Sequence, residues 1–262
     1  LMGLRARGEA VSEITGGARA LRSQMDSVPA PPDAIDTVGT GGDGASTHNI
    51  STASAFVIAG LGVPVAKHGN KAISSKSGAA DVLVELGVNI EAEHALITKA
   101  LEVAKVTFLM APRHHPAMRH VAPARQELGL RTIFNLLGPL ANPANVRRQL
   151  TGVYSKEWVA PVAKVLRKLQ SERAWVVHGS DGLDELTTTG PTYVCEIRQG
   201  NLREFTVTPE DADLPRADPA DLKGGDPKTN ASALINLLNG QAGAYRDIVL
   251  LNSAAALIIA GI

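Results

Sequence analysis

Ile35-Asp36-Thr37-Val38 runs into Gly39-Thr40-Gly41-Gly42-Asp43-Gly44, and Asn49-Ile50-Ser51-Thr52 then opens a nearly all-apolar run to Leu61. The order reads as strand, glycine loop and helix, with Gly60 and Gly62 closing the helix. Val63 to Ala66 is the next strand, and it delivers Lys67-His68-Gly69-Asn70 at its carboxyl end. Open parallel sheets place ligands at that end. Glycines let a ligand approach peptide N–H groups, and hydroxyls and lysines add donors for anionic oxygens. Between Asp43 and Asp81 there is no acidic residue, while Lys67, Lys71 and Lys76 lie within that window. The stretch therefore reads as a phosphate site.

Outward from it, helical spacing and strand signals alternate. Gly78 to Leu86 reads as a short helix, Ile97 to Ala104 as a longer one, and Val106 to Met110 as a strand. Pro116 opens a helix expected to run through Leu128 and to carry Arg119 and Arg125. A stripe of Trp158, Val162, Val165 and Leu169 precedes a strand from Ala174 to Val177. Thr192–Ile197 and Arg203–Val207 form a hairpin pattern, and two helical segments follow. The expected fold is α/β: a mostly parallel central sheet flanked by helices. Val11, Ile14, Ala18 and Leu21 mark an amino-terminal helix set off by the proline-rich stretch from Ser27 to Pro32. Both ends read as cut.

The 262 residues are 44% apolar and 20% charged, with 26 basic and 26 acidic side chains. Such a chain builds a full core, and its balanced charge offers no general field for nucleic acid or an anionic membrane. The most apolar run, Ile248 to Ile262, contains Asn252 and Ser253 and falls short of the ~20 residues of a membrane span. It is expected to be a buried helix. The single cysteine, Cys195, excludes an internal disulfide, fits a reducing cytoplasm and reads as a buried thiol on a strand.

Gly39-x-Gly41-x-x-Gly44 has the dinucleotide-binding spacing, but the acid expected about 20 residues later is missing. No Gly-Lys-Ser/Thr follows, so a nucleoside triphosphate loop is excluded too. Asn49, Ser51 and Thr52 open a helix whose free N–H groups favour an anion, alongside ordinary capping. Asp184-Glu185 follows a strand on the same predicted sheet edge, where carboxylates beside a polyphosphate would hold magnesium. His114 and His115 lack zinc-site spacing and are expected to flank the anionic pocket. Arg125 could pair with a substrate carboxylate.

Five separated motifs then carry a resemblance. They are Gly39-Thr40-Gly41-Gly42-Asp43, Lys67-His68-Gly69-Asn70, Ser74 to Leu83, Phe134 to Pro143, and His178-Gly179-x-Asp181-Gly182-x-Asp184-Glu185. In this order the chain closely resembles the anthranilate phosphoribosyltransferases over nearly its whole length. The resemblance implies a small all-helical domain, formed by 1–28 (its first part truncated) and a segment from about 88–130, beside a large α/β domain over 33–262. It implies transfer of phosphoribose from phosphoribosyl pyrophosphate to anthranilate in tryptophan biosynthesis, with Mg2+, in a cytoplasmic homodimer that pairs through the helical domain.

By the same resemblance, phosphoribosyl pyrophosphate is held by Gly39, Gly42, Asp43, Thr47, Asn49, Ser51, Thr52, Lys67, His68, Gly69, Asn70, Lys71, Ala72, Ile73, Ser74 and Ser75. Gly39, Asn70 and Arg125 contact anthranilate, and Ser51, Asp184 and Glu185 ligate the metal. No covalent nucleophile or general base is implied. Ala79 stands where many members have serine, so no role is carried onto it. The rival readings are a pyrimidine-type nucleoside phosphorylase and a non-enzymatic nucleic-acid-binding relative; the acidic pair argues against the first and the balanced charge against the second.

Overall fold

The structure, a computed structural model, describes residues 1–72 and 77–262. Two helices, α1 (Met2–Arg7) and α2 (Val11–Gln24), lead into β1 (Ile35–Gly39), α3 (Ile50–Gly60) and β2 (Val65–Gly69). Next come α4 (Ala79–Glu85), α5 (His94–Val103), β3 (Val106–Met110), α6 (Ala111–His114), α7 (Ala122–Leu128) and α8 (Ile133–Leu137). The chain closes with β4 (Arg148–Gly152), α9 (Val159–Lys168), β5 (Arg173–Gly179), β6 (Thr192–Arg198), β7 (Asn201–Val207), α10 (Pro227–Leu238) and α11 (Ala244–Ala260).

The seven strands among the described residues lie in the order β3-β2-β1-β4-β5-β6-β7. β3 through β5 run parallel, and β6 and β7 add an antiparallel hairpin on one edge. Gln199 (φ 52°) and Gly200 (φ 76°) make its two-residue turn, the left-handed pair that matches strand twist. Alternation along β5 divides the core. Ala174 and Val176 pack with α2, α8 and α9, whereas Trp175 and Val177 pack with α3 and α11. Ile14 and Ala18 of α2 are fully buried in the first of these clusters, so the amino-terminal helix shares its core with the sheet.

Two local readings change. The sequence pattern showed no strand between Leu140 and Trp158, yet β4 occupies the centre of the sheet there. Its inward polar side chains satisfy each other: Gln149 Nε2 donates to Thr151 Oγ1 (2.8 Å) and to Pro139 O (3.0 Å). The helix expected from Pro116 through Leu128 is a 3-10 turn, Pro116–His120, followed by α7. Pro123 lacks an N–H and clashes with a preceding carbonyl, so a continuous helix cannot pass through it. Cys195 is buried, and burial pushes its thiol up to about 11. The apolar carboxyl-terminal run is α11, with Ile248, Leu251, Ala255 and Ile259 turned into the core. No helix among the described residues is long and apolar enough to cross a membrane.

Candidate active site

The strand order makes β1 and β4 neighbours, while their onward connections leave in opposite directions across the sheet. That reversal opens a crevice at the strands' carboxyl ends, where open α/β sheets bind ligands. Gly39 and Gly152 are register partners at the two ends. Into this gap comes the loop after β5. A side chain at Gly152 would collide with the Asp184 carbonyl, and one at Gly39 with the Asp184 carboxylate. The absence of Cβ atoms on these two glycines is therefore what lets Asp184 lie across the switch point.

Three contacts fix that loop. Gly41 N–H donates to Asp184 Oδ2 (2.7 Å), Ser51 N–H donates to Glu185 Oε1 (3.2 Å), and Asn252 of α11 brackets Leu186, accepting from its N–H (3.0 Å) and donating to its carbonyl (2.8 Å). The positive φ of Gly41 (65°) and Gly42 (73°) folds the glycine loop back toward the carboxylate. Glu185 also sets its carboxyl group at the amino end of α3, whose Asn49 makes no side-chain cap. The capping role open to Asn49 in the sequence is thus not taken; Asn230 Nδ2 donates to Asn49 Oδ1 (2.9 Å), and Tyr245 OH donates to Asn49 O (3.2 Å). Tyr245 also stacks on His48 at 4.4 Å.

Beneath the crevice lies a buried charge cluster. Lys67 Nζ, 4% exposed by residue, donates to Thr37 O (2.6 Å) and Ser51 Oγ (3.1 Å), so its ammonium supports Ser51 from below. Asp36 accepts from His68 N–H (3.1 Å) and from Asn142 Nδ2 (2.7 Å). Burial holds the Asp36 carboxyl up at about 6, against the pull of Lys67. Burial and the neighbouring Asp43 raise Asp184 to about 7; burial and Asp184 raise Glu185 to about 8. Burial lowers the pKa of Lys67, and the three carboxylates oppose that shift. Two carboxyl groups and the Ser51 hydroxyl are a hard oxygen set, and a divalent cation beside them would favour the ionised form of both carboxyls. The residues fit a magnesium ion.

The remaining sequence-predicted residues divide by position. Gly39, Gly42, Asp43, Thr47, Asn49 and Ser51 are half-buried around the crevice, whereas Thr52 is buried below it. Asp43 Oδ1 accepts from Ala45 N–H (3.1 Å), and Thr47 bridges to Lys223. Asn70 and Lys71 are exposed beyond Gly69 at the end of β2. Asp81 Oδ2 accepts from both Ala72 N–H and Gly78 N–H (2.9 Å each), drawing the two flanks of this loop together. Ile73, Ser74, Ser75 and Lys76 lie outside the described residues.

His68 is buried, and burial lowers it to about 3, so it is neutral; its ring tilts against His115 at 5.1 Å. Of the two histidines expected to flank the pocket, only His115 makes this ring contact with His68, whereas His114 turns to Asp26. Arg125 of α7 lies 5.4 Å over the Phe134 ring, and burial lowers its pKa. Arg131, which the sequence reading passed over, leans on Tyr154 (4.5 Å) with its stem beside Gly42. Asn142, Gly152, Asn230 and Asn252 were also unassigned. Asn230 and Asn252 are amides inside helical stretches, a signal that could have drawn attention to them, whereas Gly152 follows Arg148, Gln149 and Thr151 and stands in no apolar run.

A glycine loop and carboxylate pair meeting at the switch point define an α/β enzyme that handles an anionic substrate with a hard cation. Residues 31–262 match the profile of the glycosyl transferase family, a/b domain. Anthranilate phosphoribosyltransferase of Paramagnetospirillum magneticum is 64% identical over all of this chain and 75% of its own length, and that of Parvibaculum lavamentivorans is 62% identical over all of this chain and 76% of its own. Among solved structures, the enzyme from Thermus thermophilus superposes with a TM-score of 0.94 at 46% identity, covering 100% of this chain and 78% of that one. The enzyme from Saccharomyces cerevisiae, solved with phosphoribosyl pyrophosphate and Mg, superposes at 0.91 with 34% identity, covering 100% of this chain and 74% of that one. The chain belongs to the anthranilate phosphoribosyltransferase family.

Proposed function

We propose that the protein transfers the phosphoribosyl group of phosphoribosyl pyrophosphate to the amine of anthranilate, releasing pyrophosphate. The observation that carries this reading is the lodging of Asp184 over Gly39 and Gly152, which brings the carboxylate pair onto the glycine loop. Ser51, Asp184 and Glu185 would hold magnesium, which when bound neutralises charge building on the departing pyrophosphate. The backbone N–H groups of the glycine loop that Asp184 and Asp43 leave free would meet phosphate oxygens. Lys67 acts from beneath, fixing Ser51.

The residues from His68 to Ser75 complete the cradle for phosphoribosyl pyrophosphate, and Gly39 and Asn70 border the acceptor. The Arg125 guanidinium, stacked on Phe134 and without a hydrogen-bond acceptor among the described residues, pairs with the anthranilate carboxylate. No covalent intermediate is assigned. A neutral aromatic amine is nucleophilic as it stands, so alignment with the anomeric carbon supplies the advantage.

The same reading assigns α1, α2 and the helices between about 88 and 130 to a helical domain, and 33–262 to the α/β domain. Two copies pair through the helical domain in the cytoplasm, and exposed Leu96 and Val103 on α5 supply apolar surface for it. The test is loss of anthranilate fluorescence with phosphoribosyl pyrophosphate, with Mg2+ or EDTA, beside a uridine and thymidine phosphorolysis control. Transfer dependent on Mg2+ is expected; phosphorolysis without transfer overturns the assignment. In the same assay Arg125→Ala raises KM for anthranilate roughly ten- to a hundredfold, from the ~1.5–3 kcal/mol of a charged hydrogen bond, with KM for phosphoribosyl pyrophosphate little changed.

A further inference from the structure

Away from the crevice, three metal-ligating side chains converge from separate segments. Asp26 follows α2, His94 is the first residue of α5, and His114 ends α6. One Asp26 carboxylate oxygen and one ring nitrogen of each histidine all lie within 4.8 Å of one another. Asp26 Oδ2 and His94 Nε2 are 3.0 Å apart, and the two imidazoles stack with centroids at 5.7 Å and planes at 12°. Ligands bound to one tetrahedral zinc at ~2.1 Å sit ~3.4 Å from each other, so small rotamer adjustments bring these atoms around a common centre.

An ion pair between Asp26 and His94 explains only half of the arrangement. His114 is 1% exposed, its Nδ1 lies 2.9 Å from the Asp26 carbonyl, and its buried Nε2 has no hydrogen-bond partner among the described residues. One nitrogen committed to a main-chain carbonyl and the other without a partner is the usual condition of a metal-bound imidazole. Burial lowers the pKa of His114, which keeps the ring neutral and its lone pair available. Arg113, whose charge acts on His114, is already paired with Glu91 (3.0 Å) and Glu93 (3.2 Å). Asp26 is exposed and His94 half-buried, so a metal has an entry path and an outer coordination position open to solvent.

We propose that Asp26, His94 and His114 form a binding site for a zinc-class divalent metal, fastening the segment after α2 to α5 and α6. Two imidazoles and one carboxylate suit zinc, cobalt or nickel and disfavour magnesium. The site is independent of the Asp184–Glu185 pair in both ligands and chemistry. Sequence spacing gave no sign of it, because its three ligands come from positions 26, 94 and 114.

The experiment is calorimetric titration of chelator-stripped protein with zinc chloride, alongside His94→Ala, Asp26→Asn and the Asp184→Asn/Glu185→Gln double variant. Wild type and the double variant are expected to bind one tight zinc per chain, and His94→Ala and Asp26→Asn to bind it at least tenfold more weakly. Zinc should raise the unfolding midpoint of wild type and leave that of His94→Ala unmoved. Because His94 and Asp26 are not buried, their variants fold. Equal affinity in wild type and His94→Ala, or loss of tight binding in the Asp184→Asn/Glu185→Gln protein alone, overturns the proposal.

Discussion

Asp184→Asn combined with Glu185→Gln lowers magnesium-dependent turnover by about 10³-fold or more while the folded state survives. Both replacements keep side-chain shape. The amide oxygen introduced at position 184 can still accept from Gly41 N–H, and the one introduced at position 185 from Ser51 N–H, so the loop stays over the switch point. What disappears is the paired negative charge. Removing one preorganised electrostatic contact to a developing charge costs ~10²–10³ in rate, and a divalent cation carries a larger share. The double variant is also relieved of two carboxylates that burial raises to about 7 and 8, so its thermal stability is expected to match or exceed that of wild type. Steady-state rates across a magnesium series, with circular dichroism, check both halves. Unchanged turnover with magnesium would remove the metal assignment.

Lys67→Met carries the largest expected loss of stability, about 3–5 kcal/mol, as for a buried charge left without its partner. Methionine fills the space, but Thr37 O and Ser51 Oγ lose their donor and Asp36 loses its counter-charge. Adding Asp36→Asn to Lys67→Met should recover a substantial part of the loss, a coupling read by a double-mutant cycle in urea. The sign with pH follows from Asp36. Its folded value near 6 exceeds the ordinary 3.8, so the folded state binds that proton more tightly. Its contribution to stability is present below about pH 4 and lost as pH rises through 6. Without Lys67 the Asp36 value rises further, so the deficit of Lys67→Met is smaller at about pH 5 than at about pH 7.5. An equal deficit at both, or no recovery in the double variant, contradicts the coupling of these charges.

The sequence made the ligand edge legible because glycine loops and apolar strands announce themselves locally. Gly39, Gly69 and Gly179 each close a strand that holds an apolar stretch, Gly39 directly after Val38 and the other two after His68 and His178. β4 was hidden because Arg148, Gln149 and Thr151 break the apolar pattern, and the hydrogen bonds that make Gln149 and Thr151 acceptable inside the sheet exist only after folding. For the same reason Gly152 carried no message, although it decides where Asp184 can lie. The crevice residues were named from motifs. Their division into upper and lower layers was not accessible to motif reading, since motif spacing does not tell that Lys67 and Thr52 are buried while Ser51 is half-buried. The cluster at Asp26, His94 and His114 depends wholly on tertiary contact.

The central claim is that the carboxylate pair, lodged across the ends of β1 and β4, brings a metal–pyrophosphate unit onto the glycine loop. Crystals grown with phosphoribosyl pyrophosphate and Mn2+, measured for manganese anomalous scattering, test it most directly. The account predicts an anomalous peak within coordination distance of Asp184, Glu185 or Ser51, joined to pyrophosphate density over Gly41 and Gly42. Ordered pyrophosphate bound elsewhere, or bound there with manganese absent from all three side chains, would contradict it.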